Sequence, residues 1–353
     1  MPRSEGSGER TKRGTDRNAT PDTDSGYTFR NERIFPKQGI RPTMNLHFAK
    51  EVGIFNYILR RMAWRMGKAP STITLPTGSR FPLPREKFFA SDVFVTEANV
   101  DWNSEYILAS YLKSLPTKGD FLDVGAHIGY YSALLSPLCS RVTAFEPDSR
   151  NHPYLKETAK DLSNVKIVAK AVSNQNGSTG FSDSDESSVS HMIVPEESGD
   201  GNATVVETIT IDDFVDKEAL RPAAVKIDIE GFDILALWGA LSTARVHQPV
   251  FLVEYNLEEG RPNTWKGLEE FLDVSGYLIF AVSRRPKGLF GYSYSLDGRA
   301  VSDLPGLSVK MIFLAPQSTC GWFEDLSRGM GVWGRESLRP EGVAAFLAGI
   351  GKS

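Results

Sequence analysis

The stretch Phe121-Leu-Asp-Val-Gly-Ala-His-Ile-Gly-Tyr-Tyr-Ser132 is an apolar run that enters an Asp and two spaced glycines, then continues as a helical pattern. It predicts a first strand, a Gly-rich turn and a first helix of an α/β sheet whose carboxyl edge holds a nucleotide-like ligand. Asp123 can accept a hydrogen bond there. Gly125 and Gly129 let ligand and helix approach a backbone that carries no Cβ.

A second motif, Arg141-Val-Thr-Ala-Phe-Glu-Pro147, is another short apolar run that ends in an acid. Glu146 has the spacing of a carboxylate that binds a ribose in nucleoside-binding folds. Because Ala126-His-Ile128 fills the interval between the glycines, the turn builds no close pyrophosphate cradle. The pair of motifs favours a nucleoside without phosphates over NAD, and the alternative is a plain strand-to-helix junction.

Composition limits the possible functions. The chain has 353 residues, 41% of them hydrophobic, which is enough for one large or two modest domains. A net charge of −4 offers no overall cationic field, so nucleic acid is not an expected partner. Cys139 and Cys320 form no C-x-x-C pair and predict a reducing, cytoplasmic compartment. No membrane span or signal-peptide core is recognisable.

The region before the Gly-rich motif predicts a tail and an extension. Residues 1–33 are polar and predicted to be disordered, and residues 34–100 are predicted to form a helix and hairpin extension. In the helix, over residues 45–67, apolar positions recur at helical spacing among basic residues within 50–68. Such a helix is typical either of peripheral contact with an anionic membrane or acidic partner, or of packing on the main domain. Thr72–Leu75 and Ser79–Leu83 predict the hairpin, and Val93–Val95 a strand.

Residues 101–317 alternate between strand and helix patterns, which predicts one Rossmann-like domain with a seven-stranded, mostly parallel sheet and helices on both faces. The further predicted strands are 165–172, 223–229, 249–255, 277–282 and 309–315. The predicted helices are 104–115, whose Tyr106, Leu108 and Leu112 roof the site, 149–162 with Ser149 as N-cap, 232–241 and 264–274.

Two segments show weaker strand or helix periodicity. Residues 173–220 interrupt the alternation with a polar middle, Asp183–His191, and an edge strand over 204–211. They are interpreted either as a lid or as a solvated surface excursion. Residues 318–353 are predicted to be a C-terminal extension without chemistry, with a short helix near 342–347.

Ligand groups are expected beyond the carboxyl ends of the strands. The residues at those ends are Asp123, Glu146, Ala171, Val172, Asp228, Glu230 and Glu254. Five carboxylates in one cleft raise one another's pKa unless a cation or hydroxyls lie between them. A sulfonium cofactor with an amino group and a ribose diol would supply both.

The two motifs above, together with Val225-Lys-Ile-Asp-Ile-Glu-Gly231 and Val253-Glu254, resemble the FkbM family of S-adenosylmethionine-dependent methyltransferases over about residues 90–285. The Lys-Ile-Asp-Ile-Glu-Gly block is the most specific part. The resemblance implies methyl transfer to a hydroxyl of a sugar, glycolipid or secondary metabolite. The chain departs from the family pattern with His127 in place of Asn, and with Phe232-Asp233 in place of Ala-Glu.

The resemblance also implies roles for single residues. The methionine part of S-adenosylmethionine would be held by Asp123, Gly125, Ala126, His127 and Gly129, the ribose by Glu146 beside Pro147, the adenine by Ala171 and Val172, and the sulfonium side by Asp228. The candidate bases are Asp228, Glu230, Glu254 and, as a weaker choice, His127. The alternatives are that Glu146 caps a helix near Asp148 and that Lys226 pairs with Asp228 and Glu230 in a structural salt bridge.

Three further points stay open. The family implies no metal, although carboxylates could hold a divalent ion to polarise the hydroxyl. The acceptor is a small molecule or glycan of undefined identity, and the oligomeric state is undefined. The alternative functions are a nucleotide-dependent oxidoreductase and a non-catalytic scaffold that binds a membrane or protein partner.

Overall fold

A computed structural model of the chain describes residues 54–182, 192–193, 203–255, 264–286 and 292–329. All of them lie in residues 41–353, the second of two units into which the chain divides. The described helices are α1 (Ile54–Arg65), α2 (Phe88–Val95), α3 (Ser104–Ser114), α4 (Tyr130–Leu135), α5 (His152–Ala159), α6 (Ile211–Glu218), α7 (Asp233–Trp238), α8 (Leu241–His247), α9 (Thr264–Ser275) and α10 (Gln317–Gly329). The described strands are β1 (Thr72–Thr74), β2 (Arg80–Pro82), β3 (Asp120–Val124), β4 (Val142–Phe145), β5 (Val165–Val168), β6 (Ala171–Val172), β7 (Gly177–Ser182), β8 (Met192–Ile193), β9 (Ala203–Ile209), β10 (Pro222–Ile227), β11 (Val250–Glu254), β12 (Tyr277–Pro286), β13 (Tyr292–Arg299) and β14 (Ser308–Pro316).

The central sheet has eight strands in the order β13-β12-β14-β11-β10-β3-β4-β5. The five strands from β11 to β5 are parallel to one another, while β14, β12 and β13 pair antiparallel. The predicted α/β class and mostly parallel sheet are therefore confirmed. The predicted number of seven strands is wrong by one, because β13 pairs with β12 at one edge.

Successive residues of the central strands point to opposite faces of the sheet and fill two cores. Phe121 and Leu252 pack with the hairpin, α2, α3, α4 and α10 on one face. Leu122 and Phe251 pack with α6, α7, α8 and α9 on the other. Because both faces are covered, these strands read as continuous apolar runs.

The N-terminal extension is partly as predicted. β1 and β2 form the predicted antiparallel hairpin, and α1 lies inside the predicted helix. Residues 1–33 and the first part of that helix lie outside the described residues. The predicted strand at Val93–Val95 is wrong, because these residues end α2. Ala90, Val93 and Phe94 are buried, and a short apolar run buried all round does not distinguish strand from helix by periodicity.

The third predicted strand is divided between two sheets. β5 ends at Val168, and β6 pairs in parallel with β9 in a second sheet of order β6-β9-β7-β8. The strand predicted at the edge over 204–211 instead lies between two partners, because β9 pairs with both β6 and β7. The segment Asp183–His191, which carries the lid interpretation, lies outside the described residues.

Two predicted helices differ from the structure, and one helix was not predicted. The helix after β4 starts at His152, and its N-cap is Asn151 rather than Ser149. The helix predicted over 232–241 is divided into α7 and α8. Residues 317–329 form α10, whose Phe323 is fully buried against Phe280 and Phe313, so this part of the C-terminal extension belongs to the core. The helix predicted near 342–347 lies outside the described residues.

Candidate functional site

A cavity of about 370 Å³ opens beyond the carboxyl ends of β3, β4, β10 and β11. Its volume is within the range of small-molecule sites. The predicted site residues that line it are Asp123, Gly125, Ala126, His127, Glu146, Pro147, Ala171, Val172, Asp228, Glu230 and Glu254. Elements distant in sequence therefore converge on one volume, as expected where parallel strands end together.

Gly129 does not line the cavity, unlike the other residues predicted to hold the cofactor. It precedes α4 with φ 86°, and a Cβ there would lie 2.7 Å from Leu155 Cδ1. Its role is close packing of the turn against α5.

Gly125 is the glycine at which the turn meets the neighbouring strand. Its φ is 76°, and an added Cβ would overlap the carbonyl oxygen of Asp228. The peptide N–H groups of Gly125 and Ala126 donate to the carbonyl oxygen of Phe145 at 3.1 and 2.9 Å. The turn therefore bridges the ends of β10 and β4, and only a residue without a side chain fits at this point.

Lys226 is the cation at the centre of the acidic edge. Its Nζ lies 3.2 Å from Asp228 Oδ2 and 3.8 Å from Asp123 Oδ1, and it donates to the carbonyl oxygen of Gly125 at 2.8 Å. Burial lowers the pKa of Lys226, but the two carboxylates outweigh burial, so this pKa is raised. The salt bridge to Asp228 weighed in the sequence analysis is present, and it leaves Asp228 facing the cavity.

Asp123 is almost completely buried. Its Oδ2 accepts a hydrogen bond from Ser132 Oγ at 2.6 Å, whereas its buried Oδ1 has no hydrogen-bond partner. Burial raises the pKa of Asp123, against the opposing effects of Lys226 and Ser132. A buried carboxylate oxygen without a donor fits a site that receives a donor from a ligand.

Asp228 and Glu254 form a carboxyl pair. Burial and the neighbouring Asp228 charge raise the pKa of Glu254 to about 10, and the two side chains share a hydrogen bond. Burial raises the pKa of Asp228, but Lys226 and the hydrogen bond from Glu254 outweigh burial, so this pKa is lowered. At neutral pH Glu254 is therefore protonated, and its hydroxyl donates a hydrogen bond to the ionised Asp228.

Glu230 does not share a strand face with Lys226, because the strand ends before it. β10 ends at Ile227, and Glu230 has φ 54° in the turn that follows. Asp233 stabilises that turn by accepting hydrogen bonds from the N–H groups of Ile229 and Gly231, both at 3.0 Å. The turn, rather than strand alternation, brings Glu230 to the cavity.

Glu146 is buried at the end of β4. Its Oε2 accepts a hydrogen bond from the His127 N–H at 2.7 Å, and its Oε1 accepts one from the Asp148 N–H at 2.9 Å. Burial raises its pKa against these bonds. The alternative role as a helix cap does not hold, because α5 begins only at His152 and Glu146 instead ties the Gly-rich turn to the β4 loop.

His127 carries a neutral imidazole. Burial, Lys87 and Lys226 lower its pKa to about 4, and its buried Nε2 has no hydrogen-bond partner. The ring meets Phe89 edge-on, with centroids 5.5 Å apart. An uncharged ring held in this way orients a polar nitrogen for a ligand.

One wall of the cavity was not predicted. Phe88, Phe89 and Asp92 of α2 and Lys310 and Met311 of β14 line it. The predicted roof of Tyr106, Leu108 and Leu112 is wrong, because these side chains are buried in the core and do not line the cavity.

Lys226 was considered only as a structural salt-bridge partner of Asp228 and Glu230, although the sequence held a signal for its place in the site. Lys226 lies inside the Lys-Ile-Asp-Ile-Glu-Gly block, where a buried Lys beside Asp predicts an ion pair. Nothing in the sequence marks α2 as a wall of the site. Among the described residues, no group of three or more His, Cys, Asp and Glu is placed to hold a metal ion, and none of the described helices is long and apolar enough to span a bilayer.

The geometry agrees with a sequence match. Residues 123–281 match the Methyltransferase FkbM domain. No curated protein matches the chain. Among solved structures, the chain is similar to methyltransferase FkbM from Methylobacillus flagellatus, with 17% identity and a TM-score of 0.35, covering 58% of this chain and 65% of that one. The match thus spans less than two thirds of that protein.

Two further structures are similar to the chain. The S-adenosylmethionine-dependent methyltransferase from Agrobacterium tumefaciens has 9% identity and a TM-score of 0.39, covering 69% of each chain. Aeropyrum pernix fibrillarin, solved with natively bound S-adenosylmethionine, has 14% identity and a TM-score of 0.31, covering 61% of this chain and 76% of that one.

Proposed function

We propose that the chain is an S-adenosylmethionine-dependent O-methyltransferase whose active site is the cavity beyond β3, β4, β10 and β11, because residues 123–281 match the FkbM methyltransferase domain. One observation carries the proposal. Asp123 at the end of β3, Glu146 just after β4 and Asp228 just after β10 line a single volume, and these three strands are adjacent in the sheet. This is the place where open α/β sheets bind nucleosides.

The residues of the cavity fit S-adenosylmethionine. Asp123 Oδ1 and His127 Nε2 are buried polar atoms without hydrogen-bond partners. They suit the amino and carboxylate groups of a methionine moiety, respectively. Glu146, held by two backbone N–H groups, suits ribose hydroxyls, and the buried pair Ala171 and Val172 suits the adenine ring. The cofactor would supply an electrophilic methyl group on a positively charged sulfur.

The carboxyl pair supplies the proton chemistry. Asp228 is ionised, and 31% of its side chain is exposed, which leaves it accessible to an acceptor from the cavity. The hydroxyl oxygen would take the methyl group as the bond between that methyl and sulfur breaks, which would leave neutral S-adenosylhomocysteine, and an oxygen of Asp228 would accept the hydroxyl proton. Because its pKa is lowered, Asp228 is a weak base, so the transfer occurs late, once the hydroxyl has become acidic. Glu254, already protonated, holds Asp228 in place by its hydrogen bond.

The remaining wall suits an acceptor with both apolar and hydroxyl groups. Phe88, Phe89 and Met311 offer apolar surface, and Asp92 and Glu230 offer oxygens that can accept hydrogen bonds from hydroxyls. This combination supports a sugar, a glycolipid or a secondary metabolite as the methyl acceptor. Orienting the hydroxyl is expected to contribute much of the rate.

The test measures S-adenosylhomocysteine formed from S-adenosylmethionine in the presence of sugars, glycolipids and hydroxylated metabolites. The wild type is expected to turn over with at least one acceptor, and Asp228→Asn is expected to lose most of that turnover. Asp161→Asn, an exposed acid outside the cavity, is the matched control and should keep full activity. A wild type that binds the cofactor and methylates none of these hydroxyls contradicts the acceptor class, and one that does not bind the cofactor contradicts the whole proposal.

The expected compartment is the cytoplasm. Cys139 and Cys320 are both buried and unpaired, and burial raises the pKa of both thiols. Free thiols of this kind support a reducing environment.

A further inference from the structure

Helix α1 and the turn directly after it expose a stripe of apolar side chains. Ile58, Leu59, Met62 and Met66 are 47%, 61%, 50% and 55% exposed. At 3.6 residues per turn, these four positions fall within an arc of about 100°. Exposed large apolar side chains are normal when scattered, but a contiguous set marks an interaction surface.

The opposite face of α1 is the one that packs, and it carries arginines. Arg60 donates to the carbonyl oxygen of Phe94 at 2.8 Å and pairs with Glu97 at 3.0 Å. Arg61 pairs with Asp92 at 3.1 Å. Tyr57, Ala63 and Trp64 pack against the core from this face. The predicted packing of the helix on the main domain is therefore present, but two of its charges are paired with acids rather than solvated. This arrangement leaves the apolar stripe at the surface.

The surroundings of the stripe are positively charged. Residues 54–70 contain four basic residues and no acid, although the whole chain has a net charge of −4. Arg60 and Arg61 are paired with acids on the packed face, so the cations available near the stripe are Arg65 and Lys68. Arg65 is exposed next to the stripe along the helix, and Lys68 is exposed just beyond it. A helix that presents apolar side chains bordered by cations is complementary to the surface of an anionic bilayer, where both parts contribute to binding.

We propose that α1 docks on an anionic lipid surface, with Ile58, Leu59, Met62 and Met66 inserted among the headgroups and with Arg65 and Lys68 against lipid phosphates. A protein partner or a second copy of the chain could also cover an apolar stripe. The local positive charge on an otherwise acidic molecule favours the lipid surface, because anionic lipid attracts basic residues next to an inserted helix.

The docked helix lies beside the cavity. Phe88 lines the cavity, is 69% exposed, and has the guanidinium of Arg61 5.9 Å from its ring centroid. A molecule held at the lipid surface would therefore meet the cavity next to α1. If the proposed methyl transfer holds, the acceptor is an amphiphile that presents its hydroxyl from the lipid surface, and this consequence alone rests on the proposed function.

The experiment is co-sedimentation of the full chain with vesicles of phosphatidylcholine, alone or mixed with phosphatidylglycerol. The wild type is expected to bind the mixed vesicles, and to bind them less as salt concentration rises. Leu59→Glu with Met62→Glu should reduce binding by about tenfold or more, and Arg65→Glu with Lys68→Glu by about tenfold. Val205→Glu with Val246→Glu is the matched control, because these valines are 72% and 71% exposed outside α1.

Each alternative has a distinct outcome. Absence of wild-type binding to the mixed vesicles overturns the proposal. So does a control variant that loses as much vesicle binding as the α1 variants. Binding that ignores vesicle charge overturns the role of the cations. A wild type that is dimeric in sedimentation and becomes monomeric only in the Leu59→Glu, Met62→Glu variant assigns the stripe to a second copy. Titration with S-adenosylmethionine in the absence of vesicles reports on the proposed function separately, because it does not require α1 to dock.

Discussion

The sharpest prediction concerns which carboxyl group of the pair Asp228 and Glu254 holds the proton. Glu254 is protonated and Asp228 is ionised, because burial and repulsion raise the first pKa while Lys226 and the shared hydrogen bond lower the second. Glutamine has nearly the shape of a protonated glutamate and also donates a hydrogen bond. Glu254→Gln should therefore preserve the geometry of Asp228, whereas Asp228→Asn removes the group that accepts the proton.

The expected magnitudes differ widely. Loss of a positioned general base costs about 10²–10⁴ in rate, which corresponds to about 3–5 kcal/mol of transition-state stabilisation. Asp228→Asn is expected in that range. Glu254→Gln replaces one neutral hydrogen-bond donor by another, so its turnover should stay within about threefold of the wild type, since one such bond is worth about 1 kcal/mol or less when it is replaced rather than lost.

The assay is initial-rate formation of S-adenosylhomocysteine at pH 7.5 with saturating cofactor, together with the dissociation constant of the cofactor for each variant. A Glu254→Gln enzyme as impaired as Asp228→Asn would refute the assignment of the proton to Glu254. Equal activity of Asp228→Asn and the wild type would remove Asp228 from the chemistry.

Three other perturbations test the site. Gly125→Ala should destabilise the fold by about 1–3 kcal/mol and weaken cofactor binding, because φ is 76° and the new methyl overlaps the Asp228 carbonyl; unchanged thermal unfolding and affinity would contradict this. Lys226→Met should cost about 3–5 kcal/mol in urea unfolding because it leaves buried carboxylates without their cation, while the exposed Lys166→Met should cost under about 1 kcal/mol; similar losses in both would contradict it. The pKa of Glu254 is raised from 4.5 to about 10, so between these values the folded chain binds more protons than the unfolded chain, and stability falls as pH rises, by at most about 1.4 kcal/mol per pH unit from this group. Glu254→Gln should flatten that fall in urea titrations from pH 5 to 9, and an identical slope in both proteins would show that Glu254 titrates normally.

The sequence predicted the parts of the fold that local chemistry determines. The run Phe121–Val124, the glycine at 125 and the acid at 146 each reflect a demand of one strand or turn, and all appear where expected. Parallel strands end at one edge, so the candidate carboxylates could be placed near one another before their distances were known.

Long-range packing explains what the sequence missed. The run Val93–Val95 has strand-like residues and is buried, but it forms the last turn of a helix. The pattern over Val165–Val172 predicts one continuous strand. The chain nevertheless leaves the central sheet after Val168, and Ala171 and Val172 pair with β9 in the second sheet. These choices depend on elements distant in sequence.

The site shows the same division. Asp228 and Glu254 were predicted as a pair of acids, but the position of their proton depends on Lys226 and on burial, neither of which the spacing shows. Similarly, the apolar spacing of α1 was recognised, whereas the direction of that stripe was not. The opposite face packs on the core and carries the ion pairs of Arg60 and Arg61, so the stripe lies at the surface. Periodicity identifies a face but not what that face contacts.

Calorimetric titration of S-adenosylmethionine into the wild type and into Glu146→Ala tests the central assignment most directly. We expect the wild type to bind one equivalent. The variant, still folded by circular dichroism, should bind at least about tenfold more weakly because the ribose loses its hydrogen-bond acceptor. A wild type that gives no binding, or a variant that binds equally well, would contradict the account.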